Sequence, residues 1–441
     1  MLSTASNGDI LIISFWYPPM LCTQAFRWGP IAKELARRGH RTTVVAGWQP
    51  GCPREEWDDG VKVYRVGGGI TERLRMSRAA QQPNAQSAQP HERNGTLTWL
   101  LRVMKQTHDA TWKKVYWPDA HCTWFLAAFR RAKAILEKAE VGMLITVGLP
   151  FTSHLVGLAL KKKRSQLSWL CDMSDPFSYL VPSPPNNRAL YDSLNHAAEA
   201  LIFKRADTVA VTCEETVRRY AELYPEWAQK LVVIPHLLST STKQSLSAAS
   251  PRLVAQRSVI KLVYAGVLDG RTRDPRAFLD ACRRIQEHGL TRDFEVHLYG
   301  QIENCDSMLA EYESHFGRWL FLHGLVPREV ATDAVEGANI LVNIGNKYQC
   351  QLPSKLVDYG STGKPILNVV QCPSDLSMEA LKGYQAALHV VCEADRITDF
   401  QLIQIEDFLQ QESCLTPEET ALWSHRFTLS AITSSYEQCF L

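Results

Sequence analysis

Short apolar runs alternate along the chain with longer stretches whose apolar positions recur at helical spacing. The first segments, DILIISF (9–15), a loop carrying Pro18 and Pro19, GPIAKELARRGH (29–40) and RTTVVAG (41–47), read as strand, loop, helix, strand. Ile31 and Leu35 share a helix face, Gly39 suits a C-terminal stop, and Val44 and Val45 continue a buried strand. MLITVG, LSWLCD, ADTVAVT and LVVIP then alternate with SHLVGLALKKKR and EETVRRYAELY, and this series ends near Pro235. A second series follows, with VIKLVYAG, FEVHLYG, WLFLHG, ANILVNIG, ILNVV and AALHVVCEA as strands and PRAFLDACRRIQEHG and REVATDAVEG among the helices. The alternation predicts an α/β protein of two doubly wound domains, each a parallel sheet flanked by helices.

Polar, low-complexity stretches mark the breaks. MSRAAQQPNAQSAQPHERNG (76–95) reads as a mobile surface loop, and LLSTSTKQSLSAASPRLVAQRS (237–258) as the linker between an N-terminal domain (1–236) and a C-terminal one (259–412), with helices in 413–441. Residues 98–126 mix Trp99, Trp112, Trp117 and Trp124 with Arg102, Lys105, Lys113 and Lys114. Two readings stay open there, helices packed on the sheet or a surface resting on lipid headgroups. KKKR (161–164) suits a helix C-terminus, or else an anionic surface.

A length of 441 residues supports two domains, and a formal net charge of +2 with 21% charged residues gives no case for a nucleic-acid partner. The twelve cysteines include no C-x-x-C pair, so they read as reduced thiols in a reducing compartment and not as a metal site. No uncharged apolar stretch reaches roughly 18 residues, and no basic segment precedes the first apolar run. A cytoplasmic protein is the expectation.

The chemistry-bearing stretch is QLPSKLVDYGSTGKPIL (351–367). Ser354 is a candidate N-cap, Gly363 a candidate stop, and Lys355 sits just inside the helix start, where free N–H groups and a positive charge suit a phosphate. An ordinary capped helix is the alternative. No G-x-G-x-x-G follows either opening strand, which disfavours a dinucleotide-binding dehydrogenase.

The order of ISFWYPP, Arg27 and AKELARRGHRTTVVAG, then VGLPFTSHLVGLALKKK, SWLCDMSDPF, ADTVAVT, VIPH, YAGVLDGRTRDPRAFLDA and LVNIGNKYQCQLPSKLVDYGSTGKPI, resembles the GT-B glycosyltransferases of the retaining family 4-like group over nearly the whole chain. The resemblance implies two Rossmann-like domains with an interdomain cleft. It also implies that the C-terminal helices cross back to the N-terminal domain through Trp423, Phe427, Ile432 and Tyr436. The partners it implies are a nucleotide diphosphate sugar as co-substrate, with no metal or other cofactor, and a glycan or lipid-linked acceptor. Such an enzyme rests at most peripherally on the inner face of a membrane.

Residue by residue, the resemblance places Asp358 where the family has a ribose-binding glutamate, whereas the family's other glutamate counts to Cys350, with no carboxylate between Asn343 and Val357. After Gly266 the family's arginine position holds Val267, and the following cation counts to Arg273, with Arg271 beside it and Lys355 standing in for the missing charge. Arg271 and Arg273 are alternatively solvated loop residues. On the acceptor side stand Arg27 and Asp172, with Asp175 and His154 as catalytic candidates. Each of these has a packing or capping alternative. Retention implies front-face attack with the leaving phosphate oxygen helping to take the acceptor proton, so the protein's task is to position and neutralise. The rival expectation is a catalytically silent subunit that binds a nucleotide sugar or a partner; a nucleotide-sugar epimerase lacks its acid/base set.

Overall fold

A computed structural model describes residues 8–69, 115–180, 184–239, 259–289, 293–347, 352–373, 375–411 and 413–440. The chain divides into two compact units, Met1–Pro235 with Leu429–Leu441, and His236–Thr428.

In the first unit the strands are β1 (Asp9–Ile13), β2 (Arg41–Gly47), β3 (Glu55–Asp58), β4 (Val61–Val66), β5 (Val141–Val147), β6 (Ser168–Asp172), β7 (Thr208–Val211) and β8 (Leu231–Val233). Their order is β3-β4-β2-β1-β5-β6-β7-β8, parallel except where β3 runs against β4. β1 lies between β2 and β5, with Ile10–Ile13 opposite Thr42–Val45 and Met143–Thr146. All five β1 residues are buried, because both faces of a central parallel strand are covered. Helices Thr23–Arg37, Phe125–Lys138, Thr152–Lys163 and Arg188–Arg205 supply that cover, and Leu11, Ile13, Leu144, Trp169 and Phe203 form the core.

The second unit orders β9 (Val259–Ala265), β11 (Asp293–Tyr299), β13 (Leu320–Gly324), β14 (Ile340–Ile344), β15 (Ile366–Val370) and β16 (Ala387–Val391) as β13-β11-β9-β14-β15-β16, all parallel. β10 (Leu268–Asp269) and β12 (Ile302–Glu303) form a small separate pair. In both large sheets the winding reverses next to the first strand, between β1 and β5 and between β9 and β14. Open parallel sheets form their ligand crevices at the C-terminal strand ends of such points.

The return to the first unit falls later than the sequence suggests. Helix Pro417–Ser424, started by a Thr416/Glu419 capping box, belongs to the second unit, and so do Trp423 and Phe427. Trp423 packs so closely on Gly360 that a Cβ there would lie 2.3 Å from its ring. Ile432 and Tyr436, on helix Leu429–Gln438, are buried in the first unit.

The expected loop 76–95, Cys350, most of the linker and residues 98–114 lie outside the described residues. Of the four tryptophans left open between core packing and a lipid-facing surface, Trp124 is fully buried edge-on to Phe15, and Trp117 donates its indole N–H to Asn195 Oδ1 at 3.0 Å. Both therefore belong to the unit's interior packing. Among the described residues no helix is long and apolar enough to cross a membrane.

Candidate functional site

At the C-terminal ends of β9 and β14 the chain turns at Gly266 and at Gly345–Lys347. Gly266 adopts φ 150°, and a Cβ on Gly300 would lie 2.1 Å from the Gly266 carbonyl, so the two backbone segments meet there with no room for a side chain at position 300. Asp375, buried at the start of helix Leu376–Ala380, accepts hydrogen bonds from Ser377 N (2.6 Å) and Asn346 N (2.7 Å). Asn346 Oδ1 in turn accepts from Arg273 Nη2 at 2.8 Å, while Arg273 Nη1 donates to the Val267 carbonyl at 3.1 Å. Arg273 is thus aimed by neutral acceptors.

Lys355 opens helix Lys355–Gly360 and reaches back to the same place. Its Nζ stands 3.5 Å from the ring centroid of Tyr264, and a Cβ on Gly266 would lie 3.6 Å from it. The ammonium is buried and has no hydrogen-bond partner among the described residues. Burial, with the neighbouring Arg273 charge added, pushes its pKa well below the usual lysine range. Neither Lys355 nor Arg273 forms an ion pair with a described carboxylate, whereas Lys347, beside them, pairs with Asp274 at 3.1 Å.

The other sequence candidates in this unit fall around that pair. Arg271 is exposed on the loop after Gly266, which Asp269 braces by accepting from Arg271 N, Thr272 and Asn304. Ser354 does not cap: at φ −59° and ψ −28° it is already helical, so its hydroxyl makes no bond to the first turn. Gly363, at φ 70°, ends the turn as its position suggests. Asp358 accepts from Ser239 N at 2.9 Å through Oδ1, and burial raises its pKa to about 6 despite that bond and the Arg328 charge.

The Asp358 shift carries a sign that can be measured. The folded state holds this proton between pH 4 and 6 while the unfolded chain releases it, so its contribution to stability is lost as pH rises through that range. Asp358→Asn keeps an oxygen for Ser239 N and has no proton to lose. Urea unfolding is expected to show the variant gaining about 1–3 kcal/mol on the wild type above pH 6 and nothing below pH 4. A difference independent of pH would mean that Asp358 is not the titrating group.

At the reversal point of the first unit, Arg27 and Asp172 turn inward. The Arg27 guanidinium, 5% exposed, donates to the carbonyls of Ile234 and Pro235 and to Tyr436 Oη, with its Nε 3.9 Å from Asp172. Asp172, 1% exposed, accepts from Trp28 Nε1 at 2.6 Å. These groups fasten the unit's own chain, which departs from the acceptor-facing role read from the sequence. His154 is likewise fully buried, with Nδ1 at 2.8 Å from Thr146 Oγ1, and burial lowers its pKa to about 3, so the ring is neutral. Asp175 differs from all three. It is half-buried, has no hydrogen-bond partner among the described residues, and burial, with Asp172 nearby, raises its pKa to about 6.

Among the described residues, one carboxylate, Asp175, and two cations, Lys355 and Arg273, have no ion-pair partner and lie near the C-terminal strand ends of the two doubly wound sheets. Residues 24–236 match the glycosyl transferase 4-like domain. The chain has the GT-B fold of solved glycosyltransferases. Solved structures share its fold end to end at low identity. The lipopolysaccharide outer core galactosyltransferase WaaB is 12% identical over 98% of each chain with a TM-score of 0.57. Anabaena HepE, solved with UDP and glucose, is 12% identical over 98% of each chain with a TM-score of 0.53. The catalytic domain of Starch Synthase IV from Arabidopsis thaliana, solved with ADP and acarbose, is 10% identical over 99% of each chain with a TM-score of 0.55. No curated protein matches the chain in sequence.

Within this GT-B fold the sequence reading passed over Tyr264, Asn346, Lys347 and Asp375. Asn346 and Lys347 directly follow an apolar strand, the position where doubly wound folds carry ligand contacts, and that placement was the available signal. Asp375 shows in sequence only as a helix cap and Tyr264 only as a strand residue, since the groups that tie them to this site, Asn346 and Lys355, lie far off in sequence.

Proposed function

We propose that a nucleotide diphosphate sugar binds the second unit at the ends of β9 and β14, and that its sugar is transferred, with retention, to a hydroxyl of a glycan or lipid-linked acceptor bound by the first unit. The observation that carries this reading is the pair of cations, Lys355 and Arg273, held at the reversal point with no ion pair to a carboxylate among the described residues, the buried Asp375 acting on both only from a distance. Negative charge grows on the leaving diphosphate as the glycosidic bond breaks, and fixed cations at that point stabilise the transition state more than the ground state. Gly266 lets the backbone approach the phosphates, Ser354 and Arg271 flank them, and Asp358 offers its second oxygen to the ribose. The leaving phosphate oxygen takes the acceptor proton on the front face, and Asp175 orients the acceptor hydroxyl from the first unit. The binding of UDP by HepE and of ADP by the starch synthase supports a nucleoside diphosphate.

Titration calorimetry with UDP, GDP and ADP against their nucleosides tests the assignment. Arg273→Ala is expected to weaken diphosphate binding about tenfold or more and nucleoside binding less than about twofold, the loss of one charge-assisted contact. Equal losses for both would show that Arg273 shapes the pocket without meeting phosphate. An acceptor carried on a membrane lipid fits the basic, tryptophan-bearing stretch 98–114; binding to anionic vesicles that falls with salt is the expected result.

A further inference from the structure

One carboxylate in the first unit is buried among more hydrogen-bond donors than any packing role requires. Glu199, on helix Arg188–Arg205, is fully buried. Its Oε1 accepts from Phe177 N (3.1 Å), Ser178 N (3.2 Å) and Tyr220 Oη (2.8 Å), and its Oε2 from Tyr224 Oη (3.0 Å) and Ser178 Oγ. The two tyrosines come from the helix Glu214–Leu223 and the residue after it, so donors from two other segments converge on one side chain. Two of the five donors are consecutive backbone amides of the loop that leaves β6, and that loop carries Asp175 two residues earlier. Phe177 is pinned further by stacking on Phe151, with ring centroids 3.6 Å apart.

We infer that Glu199 is a positioning residue that fixes the Asp175 carboxylate at the edge of the sheet. The inference rests on the acceptor-side role proposed above for Asp175. Loop amides with no ladder partner would otherwise bond to water and let the loop sample several conformations. Bonded to a buried carboxylate, they are held as firmly as in a strand, and Asp175 is kept part-way out of water with no hydrogen-bond partner among the described residues. The charged group that bears on Asp175 is Asp172, which is itself held by Trp28 and Arg27. Glu199 therefore acts on Asp175 through the backbone it holds.

Two substitutions separate this from rival accounts. In Glu199→Gln the remaining oxygen still accepts from both amides and Tyr220, while the new NH2 donates to Ser178 Oγ and Tyr224 Oη, which turn to accept. Glu199→Leu fills similar space and accepts nothing. Carbon-13 carboxyl titration of the full chain, with Asp175 assigned through Asp175→Asn, is read beside amide exchange at Phe177 and Ser178. The expected result is a wild-type-like titration and slow exchange in Glu199→Gln. In Glu199→Leu exchange is expected at least about tenfold faster, with the Asp175 titration lower by a unit or so, as water reaches a loosened loop. An unchanged Asp175 titration in folded Glu199→Leu overturns the inference, leaving Glu199 a packing residue. An equal shift in both variants overturns it too, because the charge of Glu199 would then act directly. If Glu199→Leu does not fold, Glu199→Asp, one methylene too short to reach both amides, carries the same comparison. Failure of the acceptor-side reading looks different: Asp175→Asn would leave sugar transfer unaltered whatever Glu199 does.

Discussion

Arg27→Ala is expected to destabilise the protein by about 3–5 kcal/mol, the cost of removing one partner from a buried, hydrogen-bonded ion pair. The side chain does three things at once. It offsets the charge of Asp172, caps the carbonyls of Ile234 and Pro235 where the chain leaves the first unit, and bonds Tyr436 on the helix that returns to it. Its removal strands a buried carboxylate and the buried Ile234 carbonyl together. The loss carries a pH signature. Burial already raises the Asp172 pKa even with Arg27 lowering it, and without Arg27 the rise is larger. Because the folded state then holds a proton that the unfolded chain has released, stability falls as pH rises through the folded pKa. Urea titrations are therefore expected to show a smaller deficit at pH 5 than at pH 7. The double variant Arg27→Met with Asp172→Asn is expected to recover part of the loss, since no uncompensated charge remains. A single-variant loss under about 1 kcal/mol would remove Arg27 from the load-carrying network.

The sequence exposed what is periodic or local, and little of what depends on distant segments meeting. Runs such as DILII and ILNVV are apolar throughout because central parallel strands are buried on both faces, and each was visible by itself. Gly363 was visible too, since a turn with positive φ favours one residue type. The inward turn of Arg27 was not, because its acceptors lie more than 200 residues away in sequence. Glu199 reads in ALYDSLNHAAEALIFKR as one more charge on an amphipathic helix. Only the fold shows that its five donors arrive from other segments. Lys355 was read as a phosphate cation at a helix start; the structure adds that Tyr264 and Gly266 enclose it, and that the helix is six residues long with no side-chain cap.

That enclosure gives the second large effect, a trade of stability against binding in one side chain. Lys355→Met is expected to make the unliganded protein more stable by about 1–3 kcal/mol while abolishing the stabilisation that diphosphate confers. Methionine fills similar volume over the Tyr264 ring and carries no ammonium to desolvate. In the wild type, that ammonium is buried beside Arg273 with no acceptor among the described residues. A depressed lysine pKa means that the unfolded chain binds a proton the folded state has given up, between the folded pKa and about 10.4. Across that window wild-type stability rises with pH relative to the variant, so the advantage of Lys355→Met shrinks as pH rises toward 10. Diphosphate reverses the ranking. UDP at about 100 times its Kd stabilises the wild type by roughly 2.7 kcal/mol, and the variant, having lost the ammonium, is expected to gain little from the same concentration. Thermal unfolding with and without UDP, at pH 7 and pH 9, reads both halves. A variant that is less stable and still stabilised by UDP would show that Lys355 holds the fold and leaves the phosphates to others.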